Sequence, residues 1–273
     1  MLVDRRTTRV VKDTVEVSRE AATPESNVLS MASFATDKYL YLGFRERFTT
    51  RFFQISAAND QASLLTVEFY QDASTWTEVE DLVDQTESGG ASLAQSGFVS
   101  WEGAPSWVKH ALSYVPDVEL YWVRLSWSAQ LGSDTALQSI LNLFVDDSLL
   151  SEYYPELVSD ADYLPSGQTT FIKQYQAATK LICTKLKQKG TINDPSQIID
   201  VNEVAVAAAH AAAYVILNGI PGKSEKQAEA ASDAYDAMLN ELSKTRIEVD
   251  LDDSGLIEDA EQRPKATVYI PRA

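Results

Sequence analysis

The chain has 273 residues and a formal net charge of −17 at pH 7, from 23 basic and 40 acidic side chains. This charge argues against a protein that grips the nucleic acid backbone, because such binding depends on Lys and Arg side chains that displace condensed counterions. The hydrophobic fraction of 45% and the charged fraction of 23% exclude wholesale disorder. The length allows two domains, each large enough to bury its own core.

Neither a membrane span nor a signal peptide is predicted. No apolar run approaches the roughly 20 residues that a membrane helix needs. The first residues, MLVDRRTTRVVKD, lack the apolar core of a signal peptide. We therefore expect a protein that is made and retained in the cytosol, without a membrane partner.

Residues 1–36 have mixed charge and precede the first strongly strand-like segment. Within them, VVKDTVEVS is a candidate strand, and ATPESN is a turn. We predict that this segment is either an N-terminal arm or a strand that pairs with the following sheet.

Residues 37–147 predict an antiparallel β-sandwich or jelly roll. Seven short segments rich in β-branched and aromatic residues alternate with turn sequences. These segments are KYLYLGF, TTRFFQIS, SLLTVEFYQD, TWTEVEDLV, SGFVSW, LYWVRLSWS and QSILNLFVDD. Within Tyr121 to Trp127, alternation places Tyr121, Val123, Leu125 and Trp127 on one, more apolar face. Trp122, Arg124 and Ser126 fall on the other face.

Residues 148–245 predict a helical bundle of three helices. The first has about 20 residues and ends at Gly190; Cys183 lies within it as a small buried apolar residue. The second opens at the Asp200 and Glu203 pair, and the third at Ser224 and Gln227, which both resemble capping boxes. The predicted buried stripes are Phe171, Tyr175, Ala178, Ile182 and Leu186, then Val204, Ala208, Ala211 and Val215, then Ala228, Ala231, Tyr235, Met238 and Leu242.

Residues 246–273 predict an acidic loop and an extended tail, ATVYIPRA. The string DLDDSGLIEDAE has the ligand spacing of a calcium-binding EF-hand loop, with Asp250, Asp252, Ser254 and Glu261 as the candidate ligands. An EF-hand needs helices on both sides, but RIEV precedes the loop and Pro264 follows it. A solvated acidic turn is therefore favoured, with calcium as the alternative.

No catalytic motif stands out, and we expect a protein that is not an enzyme. The sequence contains no GxSxG, GxGxxG, Walker or HExxH pattern, and its two histidines, His110 and His210, lie in different predicted domains. Paired carboxylates for glycoside hydrolysis stay open, because acids are plentiful and their separation is not visible in the sequence. All five tryptophans precede residue 128, and they either fill a core or form a sugar-stacking platform.

Lysines and acids are segregated locally in the second half. Lys173, Lys180, Lys185, Lys187 and Lys189 lie in a stretch without carboxylates, whereas Glu248 to Glu261 holds seven acids and no base. These runs are either solvated surfaces or contacts between neighbouring subunits of a homo-oligomer.

The segments FIKQYQAATKLICTKLKQKG, AVAAAHAAAYVILNGI and AEAASDAYDAMLNELSKTRIEVDLDDSG resemble the head-to-tail adaptor (connector) proteins of tailed bacteriophages. The resemblance covers about residues 150–273 and follows a pattern of short helices, an alanine-rich middle helix and an acidic extended end. The aromatic first half is similar to sandwich domains that some phage neck proteins carry in addition.

The resemblance implies a virion structural protein of the neck, assembled in the host cytoplasm. It implies a homo-oligomeric ring, commonly a dodecamer, that binds the portal and the head-completion or tail-terminator proteins and extends the DNA channel without reading sequence. Three acids, Asp233, Asp236 and Glu241, are candidates for the channel lining. The tail residues Thr267, Val268, Tyr269, Ile270, Pro271 and Arg272 are candidates for binding the portal or a neighbouring subunit. The alternative is a carbohydrate-binding or carbohydrate-cleaving phage protein that acts through the aromatic domain.

Overall fold

The computed structural model describes residues 8–18, 28–45, 47–72, 75–104, 106–192, 198 and 201–244. The chain divides into two compact units, Met1–Leu143 and Phe144–Ala273. The described strands lie in the first unit, the β unit, and the described long helices lie in the second, the helical unit. This composition confirms the predicted α+β class.

The first unit contains antiparallel strands that the β-branched and aromatic segments form. Their bounds are β1 Thr8–Lys12, β2 Val15–Glu16, β3 Leu29–Ser30, β4 Leu40–Phe44, β5 Thr50–Ala57, β6 Leu65–Asp72, β7 Thr75–Glu78, β8 Val83–Asp84, β9 Gly97–Ser100, β10 Lys109–Leu112, β11 Val115–Trp127 and β12 Ala136–Leu141.

These strands form two antiparallel sheets. The first sheet has the order β2-β1-β4-β11-β6-β7, with β10 also paired to β11. The second sheet has the order β3-β12-β5-β9-β8. Strand β1 pairs with β4 in a register that places Val10 opposite Leu42. The described part of residues 1–36 therefore pairs with both sheets, through β1 and β2 with the first and through β3 with the second.

Both sheets contribute side chains to one apolar core. Leu42 and Val123 come from the first sheet, and Phe53 and Leu137 come from the second; all four are at most 3% exposed. In β11, the predicted alternation is confirmed, because Tyr121, Val123, Leu125 and Trp127 all belong to this core. Trp122 points to the opposite face, where it is fully buried in a second, smaller cluster.

The second unit contains five described α-helices. Their bounds are α1 Asp147–Tyr153, α2 Pro155–Ser159, α3 Ile172–Gln188, α4 Ala205–Asn218 and α5 Glu225–Lys244. Short 3-10 turns cover Ala161–Tyr163 and Val201–Val204. The short helices α1 and α2 are not predicted from the sequence. The Asp146 carboxylate caps α1 by accepting a hydrogen bond from the Leu149 amide at 2.9 Å.

Helix α4 is the central helix of the second unit and packs against α1, α3 and α5. Seven of its 14 residues are alanine, and Ala208, Ala211 and Ala212 are fully buried. Among the described residues, Val201–Asn218 is also the one segment long and apolar enough, by length and composition alone, to cross a membrane, and 50% of it is buried. The sequence analysis did not count this segment as an apolar run, because Asn202, Glu203 and His210 interrupt it.

The predicted helix ends and stripes are confirmed in part. Gly190, with φ of 70°, ends α3, and the Ser224 and Gln227 pair forms a reciprocal capping box at the start of α5. Three stripe residues are less buried than predicted: Ala228, in the first turn of α5, is exposed, and Val215 and Tyr235 are only half-buried. Asp200 lies outside the described residues. Cys183 is buried, as predicted.

Candidate functional site

An acidic stripe runs along the exposed face of α5. Asp233 and Asp236 are both exposed, and Glu225 and Glu229 precede them at intervals of four residues. Residues at intervals of three and four lie on one side of a helix, so these four carboxylates share a face. No ion pair joins Asp233 or Asp236 to a described residue. We call Glu225, Glu229, Asp233 and Asp236 the acidic stripe.

The third predicted channel acid, Glu241, lies away from this stripe. Its side chain is only 29% exposed, and its carboxylate accepts a hydrogen bond from Lys244 Nζ at 3.1 Å. It also lies near enough to His210 to affect the charge on that ring. The structure therefore brings two of the three candidate acids together and separates the third.

The lysines of α3 divide into two groups. Lys173, Lys180 and Lys187 are exposed and lie seven residues apart, so they form one line along the helix. Lys185 Nζ lies 5.4 Å from the centre of the Tyr235 ring, and Lys189 Nζ donates to the Leu242 carbonyl at 3.2 Å. Lys185 and Lys189 therefore join α3 to α5 within the unit, whereas the other three lysines face outward.

Each histidine packs against tyrosines. In the helical unit, the Tyr154 hydroxyl and His210 Nδ1 form a hydrogen bond of 2.7 Å, and the Tyr153 ring lies 5.7 Å from the imidazole. Burial lowers the pKa of His210, which favours its neutral form. In the β unit, His110 stacks on Tyr70 with ring centres 4.2 Å apart. The hydrogen bond with Tyr154 and the stacking on Tyr70 hold the two imidazole rings in place.

A second aromatic cluster lies on the face of the first sheet opposite the main core. Its buried members are Val11, Tyr41, Tyr70, Leu112, Val115, Leu120 and Trp122, and Tyr39, Trp76 and Val118 pack around them. We call this group the outer aromatic cluster. Burial raises the pKa of Tyr41 to about 12. The phenol of Tyr41 is therefore neutral at physiological pH and contributes a packed ring.

Arg124 and Glu68 lie beside the outer aromatic cluster, and neither was predicted from the sequence as a site residue. They are direct neighbours across β11 and β6, and their side chains form two parallel hydrogen bonds of 2.7 and 2.8 Å. The guanidinium also lies over the Tyr39 ring at 4.3 Å and the Trp76 ring at 4.8 Å. The sequence feature that could have indicated Arg124 is its position on the more polar face of β11.

Four of the five tryptophans are buried, three in the main core and Trp122 in the outer aromatic cluster. Trp101, Trp107, Trp122 and Trp127 are at most 5% exposed. Trp76 is only half-buried, and it lies in the outer aromatic cluster near Tyr39 and Tyr41. Tyr114, whose ring centre lies 6.0 Å from that of Tyr41, is 41% exposed. Trp76 is therefore the one tryptophan that is partly exposed.

The remaining candidate sites lie outside the described residues. These are the calcium-loop ligands Asp250, Asp252, Ser254 and Glu261, and the tail residues 267–272. Among the described residues, no group of three or more His, Cys, Asp or Glu side chains is arranged to hold a metal ion.

No known protein family, curated protein or solved structure matches this chain.

Proposed function

We propose that this chain is a head-to-tail adaptor in the neck of a tailed phage. In this role, copies of the helical unit form a ring beneath the portal and extend the DNA channel toward the tail. The resemblance of residues 150–273 to such adaptors motivates the proposal. The observation that carries it is the acidic stripe on α5, because it gives an outward helix face a single sign of charge.

A carboxylate surface suits a channel through which DNA must pass without sticking. Each phosphate carries a negative charge, and protein side chains hold DNA mainly through Lys and Arg. Helix α5 has no basic residue between Lys226 and Lys244, so the central part of the stripe has no cation on its own helix. At physiological salt, repulsion acts over about 8 Å, which is enough to keep a duplex off the wall. We assign Asp233 and Asp236 to this wall.

The β unit then serves as a collar outside the ring. We infer that its two sheets form a β-sandwich, because side chains from both sheets share one core. The three long helices are inferred to form the bundle that builds the ring wall, with α4 covered by its neighbours. The residues 267–272 are proposed to bind the portal or a neighbouring subunit. This role requires no catalytic residue and no cofactor, and it places the protein in the virion neck.

Charge reversal on the acidic stripe tests the channel assignment. We expect Asp233→Lys with Asp236→Lys to leave ring assembly intact but to impair retention or ejection of DNA in assembled particles. A matched control is Glu152→Lys with Glu156→Lys, which makes the same charge change at exposed positions outside the stripe. The measurements are ring formation by electron microscopy and packaged DNA per particle.

The two variants separate the channel from a subunit contact. If the stripe variant no longer forms rings while the control does, the stripe lies at a contact between subunits, for which the lysine line (Lys173, Lys180 and Lys187) is a candidate partner. If both variants package and eject DNA like the wild type, the channel assignment is wrong.

The second candidate function is carbohydrate binding by the β unit. The observation that favours it is Trp76, which is the one tryptophan that is not buried. Aromatic rings bind the apolar faces of sugars, and the neighbouring Arg124 and Glu68 offer polar groups for hydroxyls. A collar that binds a host glycan would be compatible with the adaptor role.

Trp76→Ala tests this second function in the full chain. We expect the variant to lose any glycan binding found by screening the wild type. Tyr153→Ala is the control, because Tyr153 is an aromatic residue of the other unit and is 41% exposed. Equal glycan binding by wild type and Trp76→Ala would overturn this candidate.

A further inference from the structure

Arg51 lies where an apolar side chain is expected. In β5, residues 51, 53 and 55 point to the same side because side chains alternate along a strand. Phe53 belongs to the core shared by the two sheets, and Ile55 packs against it. Arg51 therefore points toward the space between the sheets, and it is only 7% exposed.

The buried guanidinium has few polar partners. Its Nη1 donates to the Thr50 carbonyl at 2.6 Å, and its central carbon lies 4.0 Å from the Phe48 ring centre and 5.0 Å from that of Phe44. No carboxylate of a described residue lies within 4.0 Å of it. Burial alone lowers the pKa of Arg51 to about 9. Buried Arg is normally paired with an anion, because removing its charge from water is costly.

A small cavity adjoins this guanidinium. Strands β1, β4 and β12 provide its apolar walls through Val10, Leu42 and Ile140, and Asn142 also lines it. About 40 Å³ is open to a water-sized group. This space accommodates a few non-hydrogen atoms, which excludes a nucleotide or a sugar ring.

We propose that the cavity beside Arg51 binds a short aliphatic carboxylate of about the size of acetate or propionate. A carboxylate matches the fork of a guanidinium and accepts two parallel hydrogen bonds from it. The apolar walls suit a short alkyl chain, and the Asn142 amide can donate one further hydrogen bond. The single positive charge and the small volume favour a carboxylate over a phosphate ester. This site lies entirely in the β unit and does not depend on the neck assignment.

Sodium propionate is the probe, and sodium chloride at the same ionic strength is the reference. Trp101 and Trp107 report on the site, since their ring centres lie 5.6 and 5.2 Å from that of Phe48. We expect propionate to shift the indole N–H signals of these two tryptophans in NMR spectra, with saturation at a dissociation constant of about 1 mM. Sodium benzoate, whose ring exceeds the cavity, should give no saturable shift.

Substitutions at Arg51 decide the assignment. Arg51→Met removes the charge at similar volume and should abolish the propionate shift, whereas the exposed Arg45→Met should retain it. Arg51→Lys keeps the charge without the planar fork and should weaken binding at least tenfold. If Arg51→Met does not fold, the Arg51→Lys titration carries the test. A wild type without a saturable propionate shift, or an unchanged affinity in a folded Arg51 variant, would overturn the proposal.

Discussion

Gly43 leaves room for the buried indole of Trp122, and a single methyl group at this position should destabilise the β unit. The two residues are direct neighbours across β4 and β11. A Cβ atom on Gly43 would lie 2.5 to 2.6 Å from three atoms of the indole ring. Ordinary van der Waals contact begins near 3.4 Å. The ring would therefore have to move by roughly 1 Å to accept alanine.

The surroundings of Trp122 resist this movement. The indole is fully buried, and its Nε1 donates to the His110 carbonyl at 2.8 Å. Overpacking of a close-packed site costs about 1 to 3 kcal/mol. Replacing glycine by alanine returns about 0.4 to 1 kcal/mol by restricting the unfolded chain. We therefore expect Gly43→Ala to lower the free energy of unfolding by about 1 to 2 kcal/mol.

Urea unfolding followed by tryptophan fluorescence measures this change in one unit, because all five tryptophans precede residue 128. With a slope near 2 kcal/mol per molar urea, the midpoint should fall by about 0.5 to 1 M. Gly103→Ala is the matched control, since its Cβ would meet Thr49 at 3.5 Å, which is ordinary contact. Equal midpoints for Gly43→Ala and Gly103→Ala would refute the packing argument.

Two further predictions concern the helical unit. Ser224→Ala removes the hydroxyl that accepts from the Gln227 amide, so we expect a loss of about 1 kcal/mol in thermal unfolding followed by circular dichroism at the helix band. Ser232→Ala, at an exposed position within α5, should cause no loss because alanine favours a helix. Burial lowers the pKa of His210 in the folded state. The neutral ring therefore contributes stability above pH 6.5, the ordinary pKa of histidine, and this contribution is lost as the pH falls through the folded pKa. His210→Gln should therefore reduce the loss of helical-unit stability on acidification, and an unchanged pH dependence would contradict this sign.

The class of the fold and most element positions follow from periodicity. The alternation of Tyr121, Val123, Leu125 and Trp127 gives the core face of β11 correctly. The pairing of Ser224 with Gln227 gives the start of α5, because a capping box is a local arrangement. These features depend on neighbours within one strand or one helical turn.

Features that depend on distant neighbours were not predicted. Arg51 lies on the same side of β5 as Phe53, whereas Phe52 lies on the other side. Because each side carries a phenylalanine, the sequence TTRFFQIS does not indicate which side meets the core. The partial exposure of Trp76 depends on how its neighbours cover it. Ala228 is exposed although it has the spacing of the buried stripe, because helical spacing does not show which turns another element covers.

Negative-stain electron microscopy of the purified protein, alone and mixed with the portal from the same source, tests the adaptor proposal most directly. The account predicts a ring that caps the portal, and the images would give its copy number. A protein that stays monomeric and leaves the portal bare would contradict the account.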